Sequence, residues 1–346
     1  MADFKGRLIE ALDVLRRREL SDKAFFKAKA YAKVIEELRI SAKPIEKIED
    51  IDGMPGVGEK IRKKVVELLA TGHIAAADRA KEEHQLNAVD LLGGVYGIGV
   101  VKAKELIAKG IKTIAALRAA VAEDPKLLND KQKIGLRYYE DILERIPRAE
   151  MKAHEKILLK NLEGEMKGTV VGSYRRGAAD SGDIDVLLTM PHGFDAAAFN
   201  SYVDRLVAAG YMTEILSKGD QKCLSVVQLK GKNRRLDLLV VPIEEFPCAL
   251  LYFTGSGDFN VAFRKHALSL GYTLNEHEMK LTGKVADAKP VPPMKYEAEI
   301  FAFLGLKYKE PHQRIGAASV VELTENTKSK VAAVRRTYKK KKNGAA

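Results

Sequence analysis

The chain has 346 residues, 46% of them hydrophobic and 31% charged, a length beyond one hydrophobic core, so two or three globular domains are expected. No apolar run of about 18 residues is present to span a bilayer, the N-terminus lacks the apolar stretch of a secretory signal, and two cysteines, Cys223 and Cys248, are too few for a disulfide framework or a cysteine zinc site. A net charge of +12 favours a polyanionic partner, yet residues 315–346 hold 8 Lys and Arg against 2 Asp and Glu, half of the excess, so charge alone does not separate nucleic-acid binding from a solvated tail.

Residues 5–40 predict two amphipathic helices, with Leu8, Ile9, Leu12 and Leu15, then Phe25, Phe26, Ala30, Val34 and Leu38, at three-to-four spacing. A repeat follows at an offset of 41 residues: GMPGVGEK (Gly53–Lys60) and GVYGIGVV (Gly94–Val101) superpose Gly53 on Gly94, Gly56 on Gly97 and Gly58 on Gly99. Each copy lies between helical patterns, the second of which stops at Gly72 or Gly110, the form of a helix-hairpin-helix. Glycines let the backbone turn tightly, and the amides opening the second helix are free to meet an anion. Such a site holds phosphates and reads no base sequence. Two copies in register favour a nucleic-acid backbone over a helical bundle with glycine turns.

After Pro147 the texture changes. TVVGS, DIDVLLT, CLSVVQL and RRLDLLVV read as short strands, with a helix near 196–208, so an α+β region begins near 145–150. Pro290, Pro292 and Pro293 mark a loop before KYEAEIFAFLGL, and past about residue 315 apolar periodicity fades into a basic tail expected to be disordered.

The segment GSYRRGAADSGDIDVLL (Gly172–Leu188) opens like a phosphate loop, but Ala178 and Ala179 stand where a Walker A loop needs Lys and Ser or Thr. Asp183 and Asp185, two apart in a strand-like run, project from one face and repel unless a cation lies between them. Mg²⁺, with its preference for oxygen ligands, suits that position. A calcium EF-hand starting at Asp183 fails, because Leu187, Leu188 and Phe194 occupy ligand or glycine positions. Asp237, set among apolar strand residues, is the third candidate acid. A glycine turn, a hydroxyl, guanidinium donors and metal-bearing carboxylates make a phosphate site without a Walker lysine.

GSYRRGAADSGDIDVLL, RRLDLL, YFTGSGDFN and the paired hairpins, in this order, resemble the family X DNA polymerases, most closely their beta branch, over residues 5–314. The resemblance implies an all-α N-terminal lyase domain with two helix-hairpin-helix motifs, then an α+β nucleotidyltransferase palm and an α/β thumb-like subdomain. The expected divisions are a lyase-like domain at 1–83, a fingers-like subdomain at 84–147, a palm at 148–242, a nucleotide-selecting subdomain at 243–314 and the tail at 315–346. It further implies that Asp183 and Asp185 bridge two Mg²⁺ ions, with Mn²⁺ able to substitute, and that Asp237 binds the catalytic metal near the primer 3′-hydroxyl. Arg145, Ser173, Arg176, Gly182, Tyr252, Phe253, Gly255 and Asn260 match nucleotide-binding positions. Gly56, Gly58, Lys60, Gly97, Gly99, Arg235 and Arg264 match DNA contacts. The hairpin carbonyls of Asp52, Met54, Val57, Gly93, Val95 and Ile98 match positions that hold Na⁺ or K⁺. Lys64 matches the Schiff-base nucleophile of a 5′-deoxyribose phosphate lyase, with Lys60, Arg62 and Lys63 around it to lower its pKa.

The chain also departs from the pattern. Asp22, Phe26 and Ala76 replace residues of the lyase region, which weakens the expected grip on a 5′-phosphate. Gly257 replaces an aspartate near the incoming base, and Leu239 an arginine thought to sequester a metal-binding acid. The expected function is template-directed filling of short gaps in base excision repair, on gapped or nicked DNA with dNTPs, by a nuclear monomer with unspecified repair partners. A mitochondrion or another DNA-containing organelle is the alternative compartment. The rival readings are a template-independent or RNA-directed nucleotidyltransferase and a non-catalytic scaffold at DNA breaks.

Overall fold

The computed structural model describes residues 4–323 apart from 23, 42, 84–85, 284 and 286–288. The motif VRRTYKKKK lies outside the described residues. Helices α1 (Lys5–Ser21), α2 (Phe25–Ile40), α3 (Glu59–Thr71) and α4 (Ala75–Glu83) close the first core around Leu8, Leu12, Leu15, Val34, Leu38 and Val65. The predicted apolar stripe is only partly inward: Phe25 and Phe26 sit at the start of α2, where Phe26 is 93% exposed.

A second helical unit holds α5 (Leu86–Gly93), α6 (Val100–Ala108), α7 (Ile114–Glu123), α8 (Asp130–Arg137) and α9 (Tyr139–Leu143) around Leu92, Ala103, Leu106 and Leu117. The hairpin turns stand where the repeat places them: Gly58 caps α3 and Gly99 caps α6 without a side-chain cap, while Gly56 and Gly97 adopt φ of 89° and 83°. A side chain is disfavoured in that left-handed region, which accounts for glycine at both.

From β1 (Ile146–Pro147) the chain turns to mixed structure: α10 (Arg148–Lys160), β2 (Lys167–Val170), the single turn α11 (Gly172–Arg175), β3 (Asp180–Ser181), β4 (Ile184–Thr189), α12 (Ala196–Ala208), β5 (Met212–Lys218), β6 (Lys222–Leu229) and β7 (Lys232–Val240). The five-stranded sheet runs β2-β4-β7-β6-β5, with β4 and β7 parallel and the other neighbours antiparallel. Ile184, Val186, Leu236 and Leu238 point into the core shared with α10 and α12. Strand β5, MTEILSK, is the edge strand that the sequence pattern did not reveal; its burial is irregular and its pairing shifts register twice.

The last region packs α13 (Phe246–Thr254), α14 (Gly257–Ser269), β8 (Tyr272–Leu274), β9 (Met279–Leu281) and α15 (Glu297–Phe303) on a cluster of Phe259, Phe263 and Phe301. Residues 315–323, assigned to the tail on sequence grounds, fold back: Leu306 bridges to Glu322, and Val320 packs against this same core. Contacts between α2 and α14, with Lys265 Nζ 2.6 Å from Glu37, bring the N-terminal domain against this C-terminal region.

Candidate active site

Strand alternation sets the acids. In β4, Ile184 and Val186 face the core, so Asp185 faces the opposite side, where Leu187 and Leu239 pack under α13. Asp237 on β7 is the register partner of Asp185 in the parallel pair. Neighbouring strands lie about 4.8 Å apart, so two carboxylates from distant stretches of chain become adjacent. Asp183 immediately precedes β4, and Arg235, two residues before Asp237, shares its face.

Arg235 forms an ion pair with Asp183. Its Nε also faces Asp237 Oδ1 at 3.4 Å, too poorly aligned for a hydrogen bond, so both buried atoms lack a hydrogen-bond partner. Burial, then the charges of Asp183 and Asp237, push the Asp185 carboxyl up to about 7. Burial also raises Asp237, against the opposing charge of Arg235. Among the described residues no three His, Cys, Asp or Glu side chains converge into a ready metal cage. The Arg235 guanidinium lies between two of the acids. The donor set nonetheless fits a hard divalent cation, because three carboxylates, one with an unsatisfied buried oxygen, lie on one face.

The glycine turn lies against this cluster. Gly172 has φ 63°, and a Cβ there would sit 3.0 Å from Asp185 Oδ2, so both backbone and space demand glycine. Ser173 Oγ donates to Ser181 Oγ at 2.9 Å, and Arg145 is paired with Asp180, its Nη1 3.1 Å from where a Gly182 Cβ would be. Arg176 donates to the Thr254 carbonyl at 2.9 Å, and Asn260 to the Tyr252 carbonyl at 2.7 Å. A Cβ on Gly255 would collide with Asn260 Oδ1 at 2.4 Å. The rings of Tyr252 and Phe253 meet edge to face at 5.1 Å. Arg176 therefore meets Thr254 and Gly255 at the seam between the sheet region and α13–α14, while Ser173, Arg145 and Gly182 lie on the β3 side of the turn.

The remaining expected residues lie elsewhere. Lys64 is half-buried on α3 and Lys60 is exposed, but Arg62 pairs with Asp52 and Lys63 with Glu59 at 2.9 Å. Two of the three neighbouring positive charges are thus neutralised. Arg264 lines an open groove of about 600 Å³ with Glu36 and Lys265 and also borders Tyr252 and Asn260 in a small pocket. Of the hairpin carbonyls, Met54 accepts from Val57 N–H and Val95 from Ile98 N–H, leaving each the second lone pair of a carbonyl. Leu239 packs with Val171, Leu187 and Ala249, an apolar contact in place of a guanidinium. Cys223 and Cys248 are buried thiols, pushed up to about 11 by burial, in keeping with packing.

Sequence reasoning missed two buried arginines. Arg314, fully buried, and Arg175 share Glu297, with Arg175 Nη2 at 2.8 Å, tying the glycine turn to α15. Arg234, 1% exposed, grips Glu150 at 2.7 Å and Glu144 at 3.0 Å. The doublet Arg234-Arg235 was a readable signal, since adjacent residues of a strand must face opposite ways.

A mixed sheet carrying three clustered acids beside a glycine-serine turn, preceded by two helix-hairpin-helix units, defines a nucleotidyltransferase-type palm with a nucleic-acid-binding front end. Residues 145–243 match the DNA polymerase beta palm, 249–315 the DNA polymerase beta thumb, 90–143 the fingers domain of DNA polymerase lambda and 5–74 a helix-hairpin-helix domain. DNA polymerase lambda of Rattus norvegicus is 33% identical over 330 residues, covering 90% of this chain and 56% of that protein. DNA polymerase lambda of Arabidopsis thaliana is 29% identical over 307 residues, covering 82% of this chain and 57% of that protein. The human DNA-directed DNA/RNA polymerase mu is 25% identical over 350 residues, covering 89% of this chain and 68% of its own length. The chain belongs to the family X DNA polymerases. It spans little more than half the length of the two lambda relatives.

Proposed function

We propose that the chain is a template-directed DNA polymerase that fills short gaps during base excision repair and carries a 5′-deoxyribose phosphate lyase activity. The observation that carries the first part is the register of Asp185 against Asp237 beside the Gly172 turn. Asp183 and Asp185 would hold two Mg²⁺ ions, with Asp237 completing the site on the primer side. Bound there, the ions supply positive charge for deprotonating the primer 3′-hydroxyl and for the departing pyrophosphate. Asp237 would accept or help pass on the hydroxyl proton. Ser173, Arg176, Arg145 and the backbone at Gly182 would orient the triphosphate. Tyr252, Phe253, Gly255 and Asn260 would line the sugar and base edge. Arg235, now engaged with Asp183, would turn to the primer phosphate once the acids have another cation.

The residue ranges 1–83, 84–147, 148–242 and 243–314 serve in this reading as lyase, fingers, palm and thumb units. Lys64 is the lyase nucleophile, and gapped or nicked DNA is held through Gly56, Gly58, Lys60, Gly97, Gly99 and Arg264. Na⁺ or K⁺ would bind at the hairpin carbonyls. The protein would act as a monomer in the nucleus; among the described residues no helix is long and apolar enough to cross a membrane.

The test is extension of a labelled primer at a one-nucleotide gap, with and without chelator. The reading expects chelator-sensitive incorporation of the complementary dNTP. Faster tailing of a single strand would favour the template-independent reading. Binding without incorporation would favour the scaffold.

A further inference from the structure

The chain runs on past residue 315, where its likeness to the polymerase beta thumb stops, and residues 316–323 do not leave the body of the protein. Their starting point is fixed: Arg314 is fully buried on Glu297, and its carbonyl accepts from the Ser256 amide at the start of α14 at 3.2 Å. A single 3-10 turn follows, Ala317–Ser319, closed by the Ser319 amide donating to the Gly316 carbonyl at 3.0 Å. The far end then pairs with the thumb. Lys307 N–H donates to the Val321 carbonyl and Leu323 N–H to the Gly305 carbonyl, both at 2.8 Å, while Glu322 comes within 3.5 Å of His266 on α14. These bonds and the part-buried Val320 offset the backbone entropy of ordering the segment, about 1–2 kcal/mol per residue.

The place where this segment lies is informative. The turn rests against α14 and also against α2, so it sits where the N-terminal domain meets the thumb. Within it Ser319 is 9% exposed, unusual for a residue type that ordinarily faces water. The side-chain links across the same junction are ionic: Lys265 pairs with Glu37 at 2.6 Å, and Arg39 faces Asp258 at 3.9 Å with both side chains about half exposed. Exposed ion pairs contribute about 0–1 kcal/mol each and weaken as salt rises. A packed turn tied to the thumb by backbone bonds at both ends is not screened in that way.

We infer that residues 316–323 form a clasp that fastens the N-terminal domain to the thumb before DNA binds, and that this clasp makes the enzyme selective for short gaps. The clasp itself stands on the contacts above; its effect on gap length rests on the polymerase reading. In that reading the palm acids take the primer end while the N-terminal domain takes the opposite side of the gap. A fastened domain presents its site at one separation and so at a high effective concentration for one gap length, whereas a swinging domain spreads over several.

The experiment measures the fastening and the selectivity separately, in the full chain. Spin labels go on Lys29→Cys of α2 and Ser269→Cys of α14, both exposed positions, while Cys223 and Cys248 are buried and escape labelling. Without DNA, pulsed electron resonance should give one narrow distance that persists at about 1 M salt, where the Debye length is about 3 Å. Ala317→Glu, a charged and longer side chain in the half-buried turn, should broaden the distance, and Ala318→Glu at the exposed neighbouring position should not. A wild-type distance that broadens with salt, or a narrow one in Ala317→Glu, would overturn the clasp. In primer extension, Ala317→Glu should lower the ratio of kcat/KM on one-nucleotide to five-nucleotide gaps about tenfold, with the rate on a recessed primer unchanged. An unchanged ratio in a chain whose distance has broadened would overturn the selectivity. A wild-type chain with the narrow distance that extends no primer would overturn the polymerase reading and leave the clasp standing.

Discussion

Asp185 and Asp237 stand opposite each other on adjacent parallel strands, 52 residues apart in sequence, and Arg235 reaches from beside Asp237 to Asp183. This places one cation among three acids in a half-buried cleft, where the like charges of the acids repel one another. Asp237→Ala should lower turnover by several orders of magnitude and leave affinity for gapped DNA within about twofold, because metal-assisted chemistry is lost while the hairpins stay whole. Single-turnover extension and fluorescence anisotropy measure the two separately. An unchanged rate would remove Asp237 from the chemistry.

The cluster also sets a pH dependence. With its folded pKa at about 7, above the ordinary carboxylate value of about 4, Asp185 keeps a proton in the folded chain that the unfolded chain releases. Its contribution to stability is therefore full below about pH 4 and lost as pH rises through about 7. Asp185→Asn should raise the melting midpoint by a few degrees at pH 8 in chelator and hardly at all at pH 4. Adding Mg²⁺ at pH 8 should stabilise wild type and not this variant. Thermal scans at the two pH values check both statements.

Glu297 joins Arg175 to Arg314. Burial pushes its carboxyl up, but hydrogen bonds from both arginines outweigh this and hold it below its ordinary value. Its contribution is accordingly present at neutral pH and falls away only as pH drops through that lowered value. Glu297→Ala, which strands two arginines, should cost about 3–5 kcal/mol in urea unfolding, whereas Glu297→Gln, which keeps some of the bonds, should cost less.

Gly135 allows the second hairpin to sit on α8. Gly135→Ala should destabilise by about 1–3 kcal/mol through overpacking against the Tyr96 backbone. Gly6→Ala, in α1 with nothing within 4 Å of the added methyl group, should instead stabilise by about 1 kcal/mol through helix propensity. Denaturant midpoints of the two variants should move in opposite directions.

For the lyase, borohydride should trap wild-type protein on a 5′ abasic end, and Lys64→Ala should lose most of the yield. Equal yields would mean that another amine attacks. The ion pairs of Arg62 and Lys63 leave Lys60 as the neighbouring charge to vary.

Much of this was legible in the sequence because it depends on short-range periodicity. The 41-residue repeat announced two hairpins, and Gly56 and Gly97 take the left-handed φ that such turns need. Alternation in DIDVLLT put Asp183 and Asp185 on one face, and a third acid among apolar strand residues marked β7. The irregular edge strand β5 was not readable, because its burial follows no period of two. Nor was the fold past residue 315, where Val320 is partly buried by packing against a distant core.

The sequence by itself determined which residues could share a face, since side-chain direction follows from position along a helix or strand. Only the tertiary structure decided that β4 and β7 would be parallel neighbours in the register that joins Asp185 to Asp237. It also decided that Arg234 would turn inward to Glu150 while Arg235 entered the cleft. Pairing between segments separated by an entire helix and two strands depends on the core that forms between them, and local periodicity carries no record of it.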